Sequence, residues 1–314
     1  MAIYEHITEF AGKRVLDWEP GTALRDPEDV VYRLSISWDE SEAEGRWTDT
    51  FASFLDDPSS GRVTGLVVGP WEQVGMGEEA GARRIVEAIV SARDRLPGLN
   101  ALFLGEIISE ENEISWIEQT DVSPVFNAYP RLEHFAVRGG NGLSLGRLRH
   151  DNLKTLIVQA GGLPRTVVQE IAAADLPEAR HLEIWLGTDA YGGDATVQDL
   201  APILSGTLFP RLEYLGLRDS EIADEVAFAV AVAPILERIQ ILDLSLGTLT
   251  DAGAAALLAS PAIAKLRKLD LHYHFCSEEM AARLQGLPVE VDAREPQEPD
   301  RYDGEVHRYV AVGE

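Results

Sequence analysis

The residues with the greatest chemical reach lie near the carboxyl end. LHYHFC, residues 271–276, holds two histidines, a tyrosine and the chain's only cysteine. Such a group could ligate a metal ion, or pair a thiol nucleophile with an imidazole base. Lys268 and Asp270 stand just upstream, and Asp243 stands 27 residues before Asp270. Two adjacent carboxylates can share a proton or take a cation, and a histidine and a lysine beside them complete an acid–base set. His134 and His181 add two more imidazoles. Other motifs are absent or lack their context. GxGxxG, GxxxxGK[ST] and HExxH do not occur. GMGEEAG (75–81) has the outline of a phosphate loop, but it reads as an acid-rich helix entry unsuited to phosphate. GLSLG (142–146) has the outline of a nucleophile elbow without the helix that must follow one.

Whether the remaining residues meet depends on the elements that carry them. One short pattern recurs: apolar, two residues, apolar, one residue, apolar. It reads LEYLGL at 212–217, IQILDL at 239–244 and LRKLDL at 266–271, at a spacing of 27 residues. Earlier copies are LNALFL (99–104), LEHFAV (132–137) and LKTLIV (153–158). Weaker ones are VYRLSI (31–36), VTGLVV (63–68) and ARHLEI (179–184), and upstream the spacing varies from 21 to 36. Helical segments follow the later copies. IADEVAFAVAVAP (222–234), LTDAGAAALLASP (249–261) and CSEEMAARLQGLP (276–288) predict short helices, with Thr250 and Ser277 as N-caps. A single strand–helix unit cannot bury its apolar face alone, but stacked units share a continuous core. After the strand at 132–137, RGGNGLSLGRLRHDN (138–152) leaves no room for a helix.

LEYLGLRDSEI…IQILDLSLGTLTDAGAAALLASP…LRKLDL resembles leucine-rich-repeat proteins of the ribonuclease-inhibitor type, over roughly residues 60–290. VVYRLSISWDE (30–40), HFAVRGGNGLSL (134–145) and HLEIWLGTDAYGGD (181–194) look like a narrower bacterial family of cytoplasmic leucine-rich-repeat proteins. That resemblance implies no assigned catalytic activity and an operon shared with radical-type and ATP-grasp-like enzymes. The expected fold is an α/β solenoid, a horseshoe with parallel strands on its concave face and helices on its convex face. Residues 1–60 form an N-terminal capping segment with a first strand and an amphipathic helix carrying Trp47, Phe51, Phe54 and Leu55 at helical spacing. The solenoid proper spans 61–290. An acidic, proline-containing tail occupies 291–314, irregular and exposed over 294–306, with HRYVAVGE (307–314) able to add a last strand.

Composition narrows the partners. The 314 residues include 27 basic and 53 acidic ones, a net charge of −26. Such a field repels nucleic acid and anionic lipid, and draws in basic or neutral protein surfaces. A single cysteine rules out a disulfide framework and a cysteine-based zinc cluster. No stretch reads as a signal peptide or membrane span, so the expected location is the cytoplasm.

Strand parity then sorts the chemical residues. The fourth and sixth positions of each copy point into the core, and the third, fifth and seventh point onto the concave face. Strands about 4.8 Å apart turn equal positions into columns. One column reads His134, Thr155, His181, Tyr214, Ile241, Lys268. A second reads Glu183, Gly216, Asp243, Asp270. A third reads Arg138, Gln159, Trp185, Arg218, Ser245, His272. His134 and His181 fall two strands apart, too far for one ion. Exposed tryptophan, tyrosine and arginine are frequent binding anchors. The expected function is therefore a non-catalytic scaffold that binds a protein or peptide through His134, Arg138, Gln159, His181, Glu183, Trp185, Tyr214, Arg218, Asp243, Lys268, Asp270 and His272, with no cofactor and no metal. The alternative is a metal-binding or acid–base subunit built on Asp243, Asp270 and His272. The same register splits LHYHFC. Cys276 belongs to the core, His274 to the turn leaving the strand, and only His272 to the concave face.

Overall fold

In a computed structural model the protein is described over residues 3–36, 46–71 and 80–313. The strands are β1 (Glu9–Phe10), β2 (Lys13–Asp17), β3 (Val30–Leu34), β4 (Gly65–Val68), β5 (Ala101–Leu104), β6 (His134–Arg138), β7 (Thr155–Gln159), β8 (His181–Gly187), β9 (Tyr214–Ser220), β10 (Ile241–Asp243), β11 (Lys268–Asp270) and β12 (Glu290–Asp292). They form a 12-stranded sheet in chain order. Among the described residues of this sheet only the β1–β2 pairing is antiparallel; every later pairing in it is parallel. Strictly sequential parallel neighbours, each reached by a crossover on the same side, define a solenoid.

The apolar pattern is what sets this register. Leu66, Leu102, Phe135, Leu156, Leu182, Leu215, Leu242 and Leu269 oppose one another from β4 to β11 and are all buried. Each fully buried leucine contributes roughly 1.5–3 kcal/mol relative to exposure. A one-residue slip would turn the whole column to the other face.

The helices are α1 (Arg46–Leu55), α2 (Ala80–Ser91), α3 (Ser123–Ala128), α4 (Arg165–Ala172), α5 (Val197–Leu204), α6 (Ala223–Ala231), α7 (Asp251–Ala259) and α8 (Glu278–Gln285). Helices about 10 Å wide set against strands about 4.8 Å apart force curvature with the sheet inside. Helix neighbours pack in chain order, with the break between α3 and α4 where residues 139–152 carry no helix. Thr250 and Ser277 cap α7 and α8, accepting from Ala252 N and Met280 N at 3.2 Å each. The preceding helix holds each cap. Asp224 accepts from Thr250 N and Oγ1, and Asp251 accepts from Ser277 N and Oγ. In α1, Trp47, Phe51, Phe54 and Leu55 are buried, and Trp47 Nε1 donates to Leu34 O.

Residues 3–36 and 46–60 supply the first three strands and α1, and the sheet crosses residue 60 without a break, β3 pairing with β4. On the concave side Phe10 joins Val31, Val67, Ala101, Phe103 and Ala136 in a second apolar cluster. The first half of that face is thus sealed by the N-terminal hairpin.

At the other end two expectations are corrected. Residues 294–306 are not wholly irregular. β13 (Asp300–Tyr302) and β14 (Glu305–His307) pair antiparallel about Asp303–Gly304, both at positive φ. Asp-Gly is a hairpin signal that the acidic, proline-rich context outweighed in the sequence reading. Nor does HRYVAVGE extend the sheet. Beyond His307 the tail crosses the carboxyl rim of the strands. Ala311 N donates to Leu246 O at 2.8 Å, and Val312 N to Asp219 Oδ1 at 2.9 Å. A segment running across strand ends cannot pair along any one of them. The last strand is instead β12.

The rim needs glycine at several points, most tightly at Gly187. Gly187 has φ +69°, and a Cβ there would lie 2.0 Å from Gly161 O. Gly187→Ala should therefore lower stability by at least about 2 kcal/mol, from left-handed backbone strain plus the backbone clash. The shift of the urea unfolding midpoint measures it.

Candidate functional site

The outward sheet face carries the expected columns. His134, Thr155, His181, Tyr214, Ile241 and Lys268 are successive register partners, as are Glu183, Gly216, Asp243 and Asp270. Arg138 opposes Gln159, Trp185 opposes Arg218, and Arg218 Nε donates to Ser245 Oγ at 2.9 Å.

Exposure differs from expectation. Trp185 is only 5% exposed and Arg138 only 2%. Glu183, Asp243 and Asp270 are buried as well. Trp185 lies under the returning tail, in a small cluster with Ile114, Leu246, Tyr273, Ala311 and Val312. Arg138 lies under the segment after β5. Its guanidinium donates to Ile107 O at 2.5 Å and to Gln159 Oε1 at 2.9 Å, and sits over the Phe103 ring. Burial pulls it down to about 10, against the opposing pull of Glu106 and Glu111. Strand parity says which face a side chain joins, but not whether the chain termini then cover that face.

Glu183 is the hub of the second half. It accepts from Trp185 Nε1 at 2.8 Å and Arg218 NH1 at 3.1 Å, and His181 Nε2 lies 3.4 Å away. Burial raises the Glu183 carboxyl, but His181 and the Arg218 charge outweigh it and hold it at about 2. The Tyr214 hydroxyl donates to Asp243 Oδ2 at 2.7 Å, and Arg218 Nε lies 3.3 Å from the same oxygen. Desolvation and the two neighbouring carboxylates raise the Tyr214 phenol far above its usual range. Burial would lower Arg218, yet Glu183 and Asp243 raise it. The His181 ring stacks on Tyr214 at 3.9 Å, nearly parallel. His134 Nδ1 is 3.0 Å from Thr155 Oγ1, and burial lowers its pKa. With β7 between them, His134 and His181 do not share a site.

The edge cluster departs from the Asp243–Asp270–His272 set. Asp243 belongs to Tyr214 and Arg218. The group whose ligand atoms all lie within 4.8 Å of one another is Asp270, His272 and Asp292. Asp270 accepts from His272 Nδ1 at 2.6 Å and Lys268 Nζ at 2.8 Å, and these bonds outweigh burial and lower its pKa. Asp292 is gripped by Arg294 through Nε at 2.8 Å and NH2 at 2.7 Å. Each carboxylate thus already has a cation, and a metal would have to displace Lys268 and Arg294. Asp292 was missed because 22 residues separate it from Asp270, off the 27-residue period, although VEVD alternates as a strand should.

LHYHFC divides as its register predicts. Cys276 is buried in the main core, and burial pushes its thiol up to about 12. His274 Nε2 is 3.0 Å from Ala293 O, and its Nδ1 accepts from Cys276 N, closing the turn.

No family model and no curated protein matches the chain. A Bacteroides fragilis protein of known crystal structure is 32% identical, with a TM-score of 0.80 over 90% of this chain and 78% of that one. The chain belongs to the family of that protein. The sequential parallel sheet and the recurring strand pattern make its fold a leucine-rich-repeat solenoid. An internalin from Listeria monocytogenes matches at 12% identity with a TM-score of 0.34, over 77% of this chain and 72% of that one, a likeness too slight to build on. Among the described residues no helix is long and apolar enough to cross a membrane.

Two measurements follow from this geometry. The Asp270 hydrogen bond raises His272 above its ordinary 6.5. A raised folded-state pKa stabilises fully below the unfolded value and is lost as pH rises through the folded one. Stability relative to His272→Gln should therefore fall as pH rises above the ordinary 6.5, read from urea midpoints taken on either side of it. Cys276 should react with a thiol reagent only as fast as the protein unfolds, and burst labelling in native buffer would contradict its burial.

Proposed function

We propose that the protein is a non-catalytic scaffold that binds a protein or peptide on the open part of its concave sheet. The observation that carries this reading is the row His134, Thr155, His181, Tyr214, Ile241 and Lys268, half-exposed side by side along six strands. Ile157 stands half-exposed beside it. The row is held from beneath. Tyr214 is tied to Asp243, His181 is stacked on Tyr214, and His134 is tied to Thr155. Side chains already fixed lose little entropy when a partner docks, which favours recognition over adaptability.

The net charge of −26 supports a partner with a basic or neutral surface rather than nucleic acid or anionic lipid. A long repeat alternating strand and helix supports the ribonuclease-inhibitor-like subtype, and a single buried cysteine is consistent with a cytoplasmic setting. The acid–base or metal alternative is weakened by the cations already bound to Asp270 and Asp292.

Ile241→Asp places a charge on the open row without cutting the network beneath it, and Ile157→Asp adds a second beside the row, where Ile157 also packs on the Phe10 cluster. Tagged wild-type protein in its native host should enrich a partner that both Ile241→Asp and the double variant lose, the single variant at unchanged melting temperature. Equal recovery by all three forms would remove the row as the binding surface.

A further inference from the structure

The helix layer changes character on the side opposite the proposed sheet site. Outward positions of α4 are Arg165, Thr166 and Gln169, and those of α8 include Glu278, Glu279 and Arg283. Polar residues at such positions are what a solvent-facing helix requires. On α6 and α7 the exposed positions beyond the first turn are apolar, with Glu225 and Asp251 confined to that turn. Phe228 is 48% exposed and Val232, one turn on, 85%. Ala252, Ala255 and Ala259 face outward on α7. Large apolar side chains exposed side by side mark a surface that another one covers.

Beside Phe228 runs an open groove of about 520 Å³ between α5 and α6. Val197, Ile222, Phe228 and Ala229 line it, with Glu225 as its one charged lining residue. The exposed charge at its edge is acidic, with Glu225 lining it and Asp194 beside it, whereas Asp199 is buried and paired with Arg165 at 2.8 Å. VQDLAPIL, ADEVAFAVA and DAGAAALLA contain Asp199, Asp224, Glu225 and Asp251 and no lysine, arginine or histidine. Exposed Asp194 stands at the entry to α5.

We infer that this groove docks an amphipathic helix of a partner protein, its apolar stripe seated between α5 and α6 and its flanks carrying lysine or arginine. A trough between two helices accepts a third through anchors at i, i+3, i+4 and i+7. The acidic lip selects basic flanks. A second copy of this chain is disfavoured by the same feature, since it would bring another acidic surface and a net charge of −26 to the contact.

The test uses two labelled synthetic peptides of about four helical turns, one Leu/Lys and one Leu/Glu with the same apolar face. In fluorescence anisotropy the Leu/Lys peptide should bind saturably at one per chain, and the Leu/Glu peptide should not. Phe228→Ser, at a side chain that lies outside the core, should weaken binding at least about tenfold while circular dichroism and melting stay unchanged. Ile157→Asp with Ile241→Asp should leave this binding intact, which separates the groove from the concave row. Absence of saturable binding overturns the proposal, as does equal affinity for Phe228→Ser. A concentration-dependent dimer that Phe228→Ser abolishes would also overturn it, by making the occupant a second copy.

Discussion

A column of inward side chains, one per strand from Leu66 to Leu269, is the constraint on which the rest of the structure depends. Each repeat is too small to bury its own apolar face, so its leucine is covered only when the next strand lies in register beside it. That requirement fixes the sheet order, and the sheet order fixes which outward residues become neighbours. The contacts of Glu183 with Arg218, and of Asp243 with Tyr214, follow from cross-strand register between residues 29 to 35 positions apart in the chain.

The outward face turns this register into electrostatics. A carboxylate removed from water is costly unless charge and hydrogen bonds replace the lost solvation. Here neighbouring strands supply the replacement. Arg218 is shared between Glu183 and Asp243, and Asp270 is held by Lys268 and His272. These groups make a stiff floor, because each carboxylate already faces a cation or an imidazole.

The chain ends decide how much of that floor remains open. At one end Phe10 closes the apolar half of the face, and Glu106 binds Arg33, His6 and the Ile7 amide behind it. At the other, the tail crosses the rim, where Asp219, Leu246 and Tyr273 adopt positive φ at the ends of successive repeats. The Asp219 carboxyl is raised by burial and holds the Val312 amide. The surface left between the two closures is the row from His134 to Lys268.

The repeat pattern alone determined strands β3 to β11, their faces and the columns from β6 to β11, because the period-two alternation and the leucine spacing are local and recur. It also assigned Cys276 to the core, His274 to a turn, and Thr250 and Ser277 to helix caps. Only the tertiary structure decided exposure and partnership. Trp185 and Arg138 occupy outward positions, yet they are buried, since the covering segments come from residues far away in the chain. Asp243 and Asp292 flank Asp270 on its two sides, and Asp292 rather than Asp243 joins the His272 cluster because Asp243 is held by Tyr214 and Arg218. Local periodicity encodes which way a side chain points; what comes to lie over it depends on long-range closure, which no local pattern records.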